Sequence, residues 1–211
     1  PETIELYSTV VIPGTPLAQR GGSFMGREDR MRSYEFAQDL LLSEGYVHDC
    51  HLRFVIPERG FYRQQENVFA GESLIGFGVG ARSYAENMHY RNCHNNLAPK
   101  KTVVQYMDTI VSGNLAVQDA VNITDEEKLR RFVIYNLEHL DTREFYTRFN
   151  IVFTDMFSAL YHDLLFLGLA ERVGDMIILT HKGLAFRDLI ANEFFSPRTY
   201  EKETKHWLAH T

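Results

Sequence analysis

The stretch Gly71 to Tyr84, GESLIGFGVGARSY, decides the reading of this chain. Glycines alternate at Gly76, Gly78 and Gly80, with Ile75, Phe77 and Val79 between them. In an extended chain, successive side chains point to opposite faces, so the three glycines share one face that carries no side chains. Another backbone or a ligand can approach such a face closely. The alternation is not a dinucleotide fingerprint, because no helix with a downstream acidic partner clearly follows it.

Upstream of this ribbon the pattern alternates between strand and helix. Ile4 to Ile12, IELYSTVVI, reads as a buried strand stopped by Pro13-Gly14-Thr15-Pro16. Glu28 to Glu44 has helical spacing and stops at Gly45. Tyr46 to Pro57 reads as a second strand, and this strand–helix–strand order is an α/β signature. The four ligand-type residues His48, Asp49, Cys50 and His51 fall in that strand. Alternation lets at most two of them share a face, so ordinary polar strand residues are the better reading than a metal site.

Downstream of the ribbon the chain becomes helical. Thr102 to Gly113 reads as a helix. Thr124 and Glu127 form a capping box for a helix to about Leu140, and Asp141 caps a further helix to Phe149. Another starts at Thr154 or Asp155 and ends near Gly168. Leu169–Val173 and Met176–Thr180 read as a hairpin turning at Gly174-Asp175, and Thr180 caps a last helix. This is a winged-helix-like order. The aromatic set Phe145, Tyr146, Phe149, Phe153, Phe157 and Tyr161 has helical spacing and reads as core. The boundary is expected near Pro99-Lys100-Lys101, giving domains 1–98 and 99–211.

The totals limit function. A chain of 211 residues can bury a real core. The formal net charge of −6 argues against nucleic acid as the main partner. No apolar run approaches the roughly 20 residues of a membrane span. Two cysteines, Cys50 and Cys93, are too few for a disulfide-stapled secreted domain. With no apolar leader segment at the front, a cytoplasmic location is expected. The chain starts at Pro1 on a strand-like pattern, which suggests that something upstream is missing. The helix expected over 154–167 contains no Lys or Arg and carries Asp155 and Asp163, so it should repel phosphate rather than enter a DNA groove.

Four segments in order resemble oxygen-independent coproporphyrinogen III oxidases and related radical S-adenosylmethionine (SAM) enzymes. Leu6 to Leu17, LYSTVVIPGTPL, resembles the late barrel strand and its proline–glycine–threonine turn. Leu74 to Tyr84 resembles the glycine-alternating strand. His89 to Asn96, HYRNCHNN, matches the aromatic–X–Asn that follows it. Gly168 to Ile190 resembles the hairpin and final helix, with its Leu-Thr-X-Lys-Gly element at Leu179 to Gly183.

The resemblance implies the C-terminal part of an incomplete radical SAM (β/α) barrel followed by a mainly helical winged-helix-like domain. It implies a parent enzyme of anaerobic haem biosynthesis that decarboxylates the propionates of coproporphyrinogen III oxidatively to vinyls, using SAM and a [4Fe–4S] cluster. A haem chaperone, a haem-opening radical enzyme or a non-enzymatic binding module are the alternatives. The family's CxxxCxxC motif is absent here, and a cluster needs three thiolates. The fragment is therefore expected to be inactive alone, with no catalytic or metal residues and no bound cofactor. Its expected partners are a tetrapyrrole and the missing N-terminal half of the barrel. By resemblance Gly76, Gly78, Gly80, Ala81 and Arg82 would lie at the cofactor, with Arg82 able to pair a carboxylate. Tyr90 and Asn92 are the substrate-side candidates. Gln64, Gln65 and Asn67 fall near polar cofactor contacts of the family.

Overall fold

A computed structural model describes residues 1–7, 9, 11, 13–21, 25–50, 52–95 and 97–201. Backbone contacts divide the chain into two compact units, the first made of Pro1–Val68 with Glu72–Ile123 and the second of Phe69–Gly71 with the chain from Thr124 onward.

The first unit holds β1 (Thr3–Glu5), α1 (Pro16–Gln19), α2 (Arg27–Ser43), β2 (Val47–Cys50), β3 (Arg53–Val55), α3 (Arg63–Phe69, which runs to the unit's edge), β4 (Arg82–Tyr84), β5 (Met88–Asn92), α4 (Pro99–Val111) and β6 (Val117–Asn122). They form two three-stranded sheets, ordered β1-β3-β2 and β4-β5-β6. All pairings in both are antiparallel. The α/β reading of this half is therefore corrected in one respect: the described residues form small antiparallel sheets and no closed barrel.

Two local departures have physical causes. The expected strand over 46–57 is a hairpin, β2 and β3, with a bulge between His48 and Cys50. Arg53 on the return strand is buried and ion-paired to Asp49, which folds the segment back on itself. The glycine ribbon is not a regular strand. It makes a single antiparallel bridge at Leu74 to Tyr84, and then Gly78 and Gly80 turn to φ of +100° and +71°. That region suits glycine and breaks the two-residue alternation. Of the strand expected over 4–12, β1 covers the start, while Ser8, Val10 and Ile12 lie outside the described residues, as does His51.

The second unit holds α5 (Asp125–Tyr135), β7 (His139–Asp141), α6 (Thr142–Phe149), α7 (Phe153–Met156), α8 (Ser158–Phe166), β8 (Ala170–Val173), β9 (Met176–Leu179), α9 (His181–Ala185) and α10 (Arg187–Glu193). One antiparallel sheet, ordered β7-β9-β8, closes it. Thr124 Oγ1 accepts from the Glu127 N–H at 3.2 Å, and Asp141 Oδ1 accepts from Arg143 and Glu144 N–H groups. The Glu127 carboxylate does not return to Thr124 as a capping box would. It accepts instead from Ser196 and Thr199, tying the C-terminal segment to α5. Thr180 caps α9 by accepting from Gly183 N–H at 3.1 Å. A Cβ on Gly183 would stand 1.9 Å from the Leu169 carbonyl, so only glycine fits there.

Leu129, Phe132 and Val133 on α5 repeat at helical spacing and pack with Phe145, Phe153, Phe157, Tyr161, Leu164, Ile177 and Phe194 in one continuous core. Phe145, Phe153, Phe157 and Tyr161 of the aromatic set are buried there, whereas Tyr146 is half exposed. α4 and β6 were expected in the second domain. β6 instead pairs along its length with β5, so the division falls between Ile123 and Thr124 and not near Pro99.

Candidate functional site

The ribbon is held by its carbonyls and amides, because its glycines offer nothing else. Asn92, on β5, is the clamp. Its side-chain amide donates to the Gly78 carbonyl at 2.9 Å and to the Gly76 carbonyl at 3.2 Å. Its own backbone N–H donates to the Ala81 carbonyl at 3.0 Å. Asn92 is buried, so these bonds are sheltered from water. The Gly76 N–H donates to Ser83 Oγ at 3.0 Å, and Ser83 is fully buried. The Gly80 N–H donates to the Cys93 carbonyl at 3.0 Å, and the Gly78 N–H to the Tyr106 hydroxyl at 3.0 Å.

The three glycines do different jobs. A Cβ at Gly76 would meet the Arg82 carbonyl at 2.3 Å, so this glycine permits the ribbon to lie against β4. At Gly80 it would meet His94 Cβ at 3.3 Å. At Gly78 nothing stands within 4 Å, so this glycine faces open space. The side-chain-free face expected from the alternation is thus divided between packing at Gly76 and an open approach at Gly78.

Arg82 opens β4 and sits opposite Arg91 in register. Arg91 is paired with Asp119 across β5 and β6 at 2.9 Å. Arg82 is exposed, and its guanidinium has no hydrogen-bond or ion-pair partner among the described residues. Two like charges directly opposite each other disfavour the sheet, which leaves Arg82 a cation without an internal counter-charge. Ala81 is half-buried at the end of the turn. Tyr90, half-buried on β5, pairs with Ser83 on one side and Ala120 on the other.

His94 follows Cys93 in the HYRNCHNN segment. Its backbone N–H donates to Gln118 Oε1 at 2.8 Å, while its buried Nδ1 has no partner among the described residues. An orphaned ring nitrogen beside Gly80 is costly, and no spacing rule singles it out.

The polar residues upstream serve the fold. Arg53 is held by Asp49 and by Gln65 Oε1 at 2.6 Å, and lies over the Tyr62 ring at 5.5 Å. His48 stacks edge-on with Phe54. Gln64 accepts from the Tyr62 hydroxyl at 3.3 Å. No group of three His, Cys, Asp or Glu among the described residues could hold a metal ion. A cleft of about 340 Å³ in this unit lies away from the ribbon, lined by Tyr7, Met25, Arg30 and Tyr34 among others. No helix among the described residues is long and apolar enough to cross a membrane.

The residues present do not fit an iron–sulfur cluster. The chain has two cysteines where three thiolates are needed, and Cys93 is buried between the ribbon and Ala116. What the described residues leave open is the space at Gly78, and Arg82 is exposed with no partner among them.

No family model matches the sequence, and no curated protein does either. Among solved structures, the chain is similar to "Coproporphyrinogen III oxidase (HemN) from Escherichia coli is a Radical SAM enzyme", at 20% identity with a TM-score of 0.71. The match covers 92% of this chain and 48% of that one, so the chain spans about half the length of this neighbour. These residues therefore share the fold of part of that solved structure.

Proposed function

We propose that the chain is the C-terminal part of a radical SAM enzyme that decarboxylates coproporphyrinogen III oxidatively. The observation that carries this reading is the shared fold over 92% of the chain, covering only half of an enzyme of that chemistry. In the parent enzyme the cluster belongs to polypeptide outside these residues. A bound cluster and SAM would supply radical chemistry for hydrogen abstraction there.

The chain's own residues bind and orient. The ribbon from Gly76 to Gly80 offers a backbone surface to which a flat or extended ligand can come close at Gly78. Arg82, on the adjoining strand, takes a carboxylate in a charge-assisted, two-pronged pair. Asn92 and Ser83 hold the ribbon in shape, and Tyr90, opposite Ser83 in register, shares the Ser83 face of the sheet, so any contact it makes with substrate is on that face. The second unit runs helix, strand, three helices, two strands and two helices, an order that supports a winged-helix-like reading of it. Its α8 carries no Lys or Arg, so a role in shaping the tetrapyrrole pocket is favoured over DNA binding. The whole enzyme is read as cytoplasmic.

The coding sequence upstream of Pro1 tests the proposal first: it should contain CxxxCxxC. The assembled protein, reconstituted anaerobically with coproporphyrinogen III and SAM, should release carbon dioxide and form vinyl groups. Haem binding without turnover would move the assignment to a haem chaperone. Ring-opened product would move it to a haem-degrading enzyme. Absence of the cysteine motif ends the radical SAM reading.

A further inference from the structure

The second unit holds a cleft of about 260 Å³ between α6, α7 and the β8–β9 hairpin. Its buried lining is Phe153, Tyr161 and Ile177, with half-exposed Tyr146 and Val152 beside them. Arg143, Arg172 and Asp175 are the charged lining residues, and all three are exposed, so the charges stand at the mouth.

Arg172 sits where the inner row of the sheet calls for an apolar side chain. Along the hairpin Ala170 faces Leu179 and Arg172 faces Ile177. Directly opposed residues share a face of the sheet, and Ala170, Ile177 and Leu179 are all buried on this one. Arg172 breaks the row at the cleft. Its Nε donates to the Gly174 carbonyl at 2.9 Å, which ties the side chain to the hairpin turn. Neither terminal amino group of its guanidinium has a partner among the described residues.

Tyr161 is the second unusual residue. It is 7% exposed and its ring stands edge-on to Phe153, yet its hydroxyl has no hydrogen-bond partner among the described residues. A buried tyrosine hydroxyl ordinarily finds one. Because Tyr161 lines the cleft, a guest bound there can supply it.

The charges and the volume narrow the guest. Arg143 Nε lies 3.4 Å from Asp175 Oδ2, a loose pair with both side chains exposed. Two guanidiniums against one carboxylate leave a single positive charge at the mouth. One further carboxylate balances it and matches the planar fork of a guanidinium, whereas a dianionic phosphate would be left repelling Asp175. The cleft is smaller than the roughly 300–1,000 Å³ of sites for drug-sized ligands, so it suits one ring on a short arm and not a macrocycle.

We infer that this cleft binds a monocarboxylate built on a single aromatic ring with a polar edge. The carboxylate lies on Arg172 and Arg143, the ring against Phe153 and Tyr146, and the polar edge on the Tyr161 hydroxyl. The inference rests on the second unit alone and stands apart from the enzymatic reading.

The probe is para-hydroxyphenylpropionate, titrated into the 211-residue chain and followed by amide chemical shifts. It should saturate with a Kd on the order of 0.1–1 mM, moving the amides of Tyr146, Phe153 and Ile177. The neutral para-hydroxyphenylpropionamide should bind about 10-fold more weakly or less, and Arg172→Met should weaken the acid by a similar factor while leaving the amide unchanged. Tyr161→Phe should weaken the hydroxylated acid roughly 3- to 10-fold and leave plain phenylpropionate within about twofold. A loss of packing alone would weaken both acids together. No saturation by the acid, equal affinity for acid and amide, indifference to Arg172→Met, or equal effects of Tyr161→Phe on the two acids overturns the inference.

Discussion

Asn92→Ala offers the sharpest test of how the ribbon is held. The Asn92 amide spends both of its N–H groups on the carbonyls of Gly76 and Gly78. Alanine keeps the backbone bond to Ala81 and deletes both side-chain bonds. Each intramolecular hydrogen bond contributes about 1 kcal/mol net, and stranding a sheltered carbonyl adds to that, so the loss should be about 2–3 kcal/mol. At 1.4 kcal/mol per factor of ten, local opening of the ribbon should become roughly 30- to 150-fold more frequent. Amide hydrogen exchange reads this directly. The amides of Gly78 and Gly80 are bonded to Tyr106 and Cys93, and both should lose protection by that factor. Amides of β7 and β9 in the second unit should not change. Asn92→Asp should do more damage, since a carboxylate has no donor and would face two carbonyl oxygens. If Gly78 and Gly80 exchange within twofold of the parent rate in Asn92→Ala, the clamp is not what holds the ribbon.

Further outcomes follow from the same contacts. Gly76→Ala drives a methyl into the Arg82 carbonyl and should cost about 3 kcal/mol or more, while Gly78→Ala, with open space around it, should cost about 1–2 kcal/mol from its positive φ alone; thermal melts of the pair check the order. Phe194 is fully buried against Phe153 and Phe157, so Phe194→Ala should destabilise the second unit by about 3–5 kcal/mol in urea titration. Glu138 and Arg187 form a buried pair at 3.0 Å, with Arg187 also donating to the Ile134 carbonyl. Glu138→Ala strands the guanidinium and should cost about 3–5 kcal/mol, and Glu138→Ala with Arg187→Met should recover part of it in a double-mutant cycle. Thr124→Ala removes the cap of α5 and should cost about 1 kcal/mol.

Much of the second unit was legible in the sequence because its signals are local. Thr124, Asp141 and Thr180 each cap the helix that their spacing announces, and Gly174-Asp175 turns the hairpin where a turn is expected. The aromatic set was legible as core because helical periodicity alone puts Phe145, Phe153 and Phe157 on buried faces. Other features escaped: the helix expected to reach Leu140 stops at Tyr135 and His139–Asp141 joins the sheet as β7, while the helices expected from Thr154 and after Thr180 each break in two, at Phe157 and Phe186. A three-residue strand is specified by its partner β9, not by any pattern of its own.

Composition alone determined that two cysteines cannot supply the three thiolates of a cluster, whereas spacing led to one bare face shared by the glycines at 76, 78 and 80, which the positive φ at Gly78 and Gly80 overturns. They could not say which glycine is spent on packing and which stays open, since that depends on the Arg82 carbonyl and on empty space at Gly78. Nor could they make Asn92 the clamp, because its targets lie 14 and 16 residues away and meet it only across the β4–β5 hairpin. The outward turn of α4, which leaves Val104, Met107 and Val111 exposed, is tertiary in the same sense. A helix's own sequence states which stripe is apolar, but only its neighbours, here the ribbon that takes the Tyr106 hydroxyl, decide which way that stripe points.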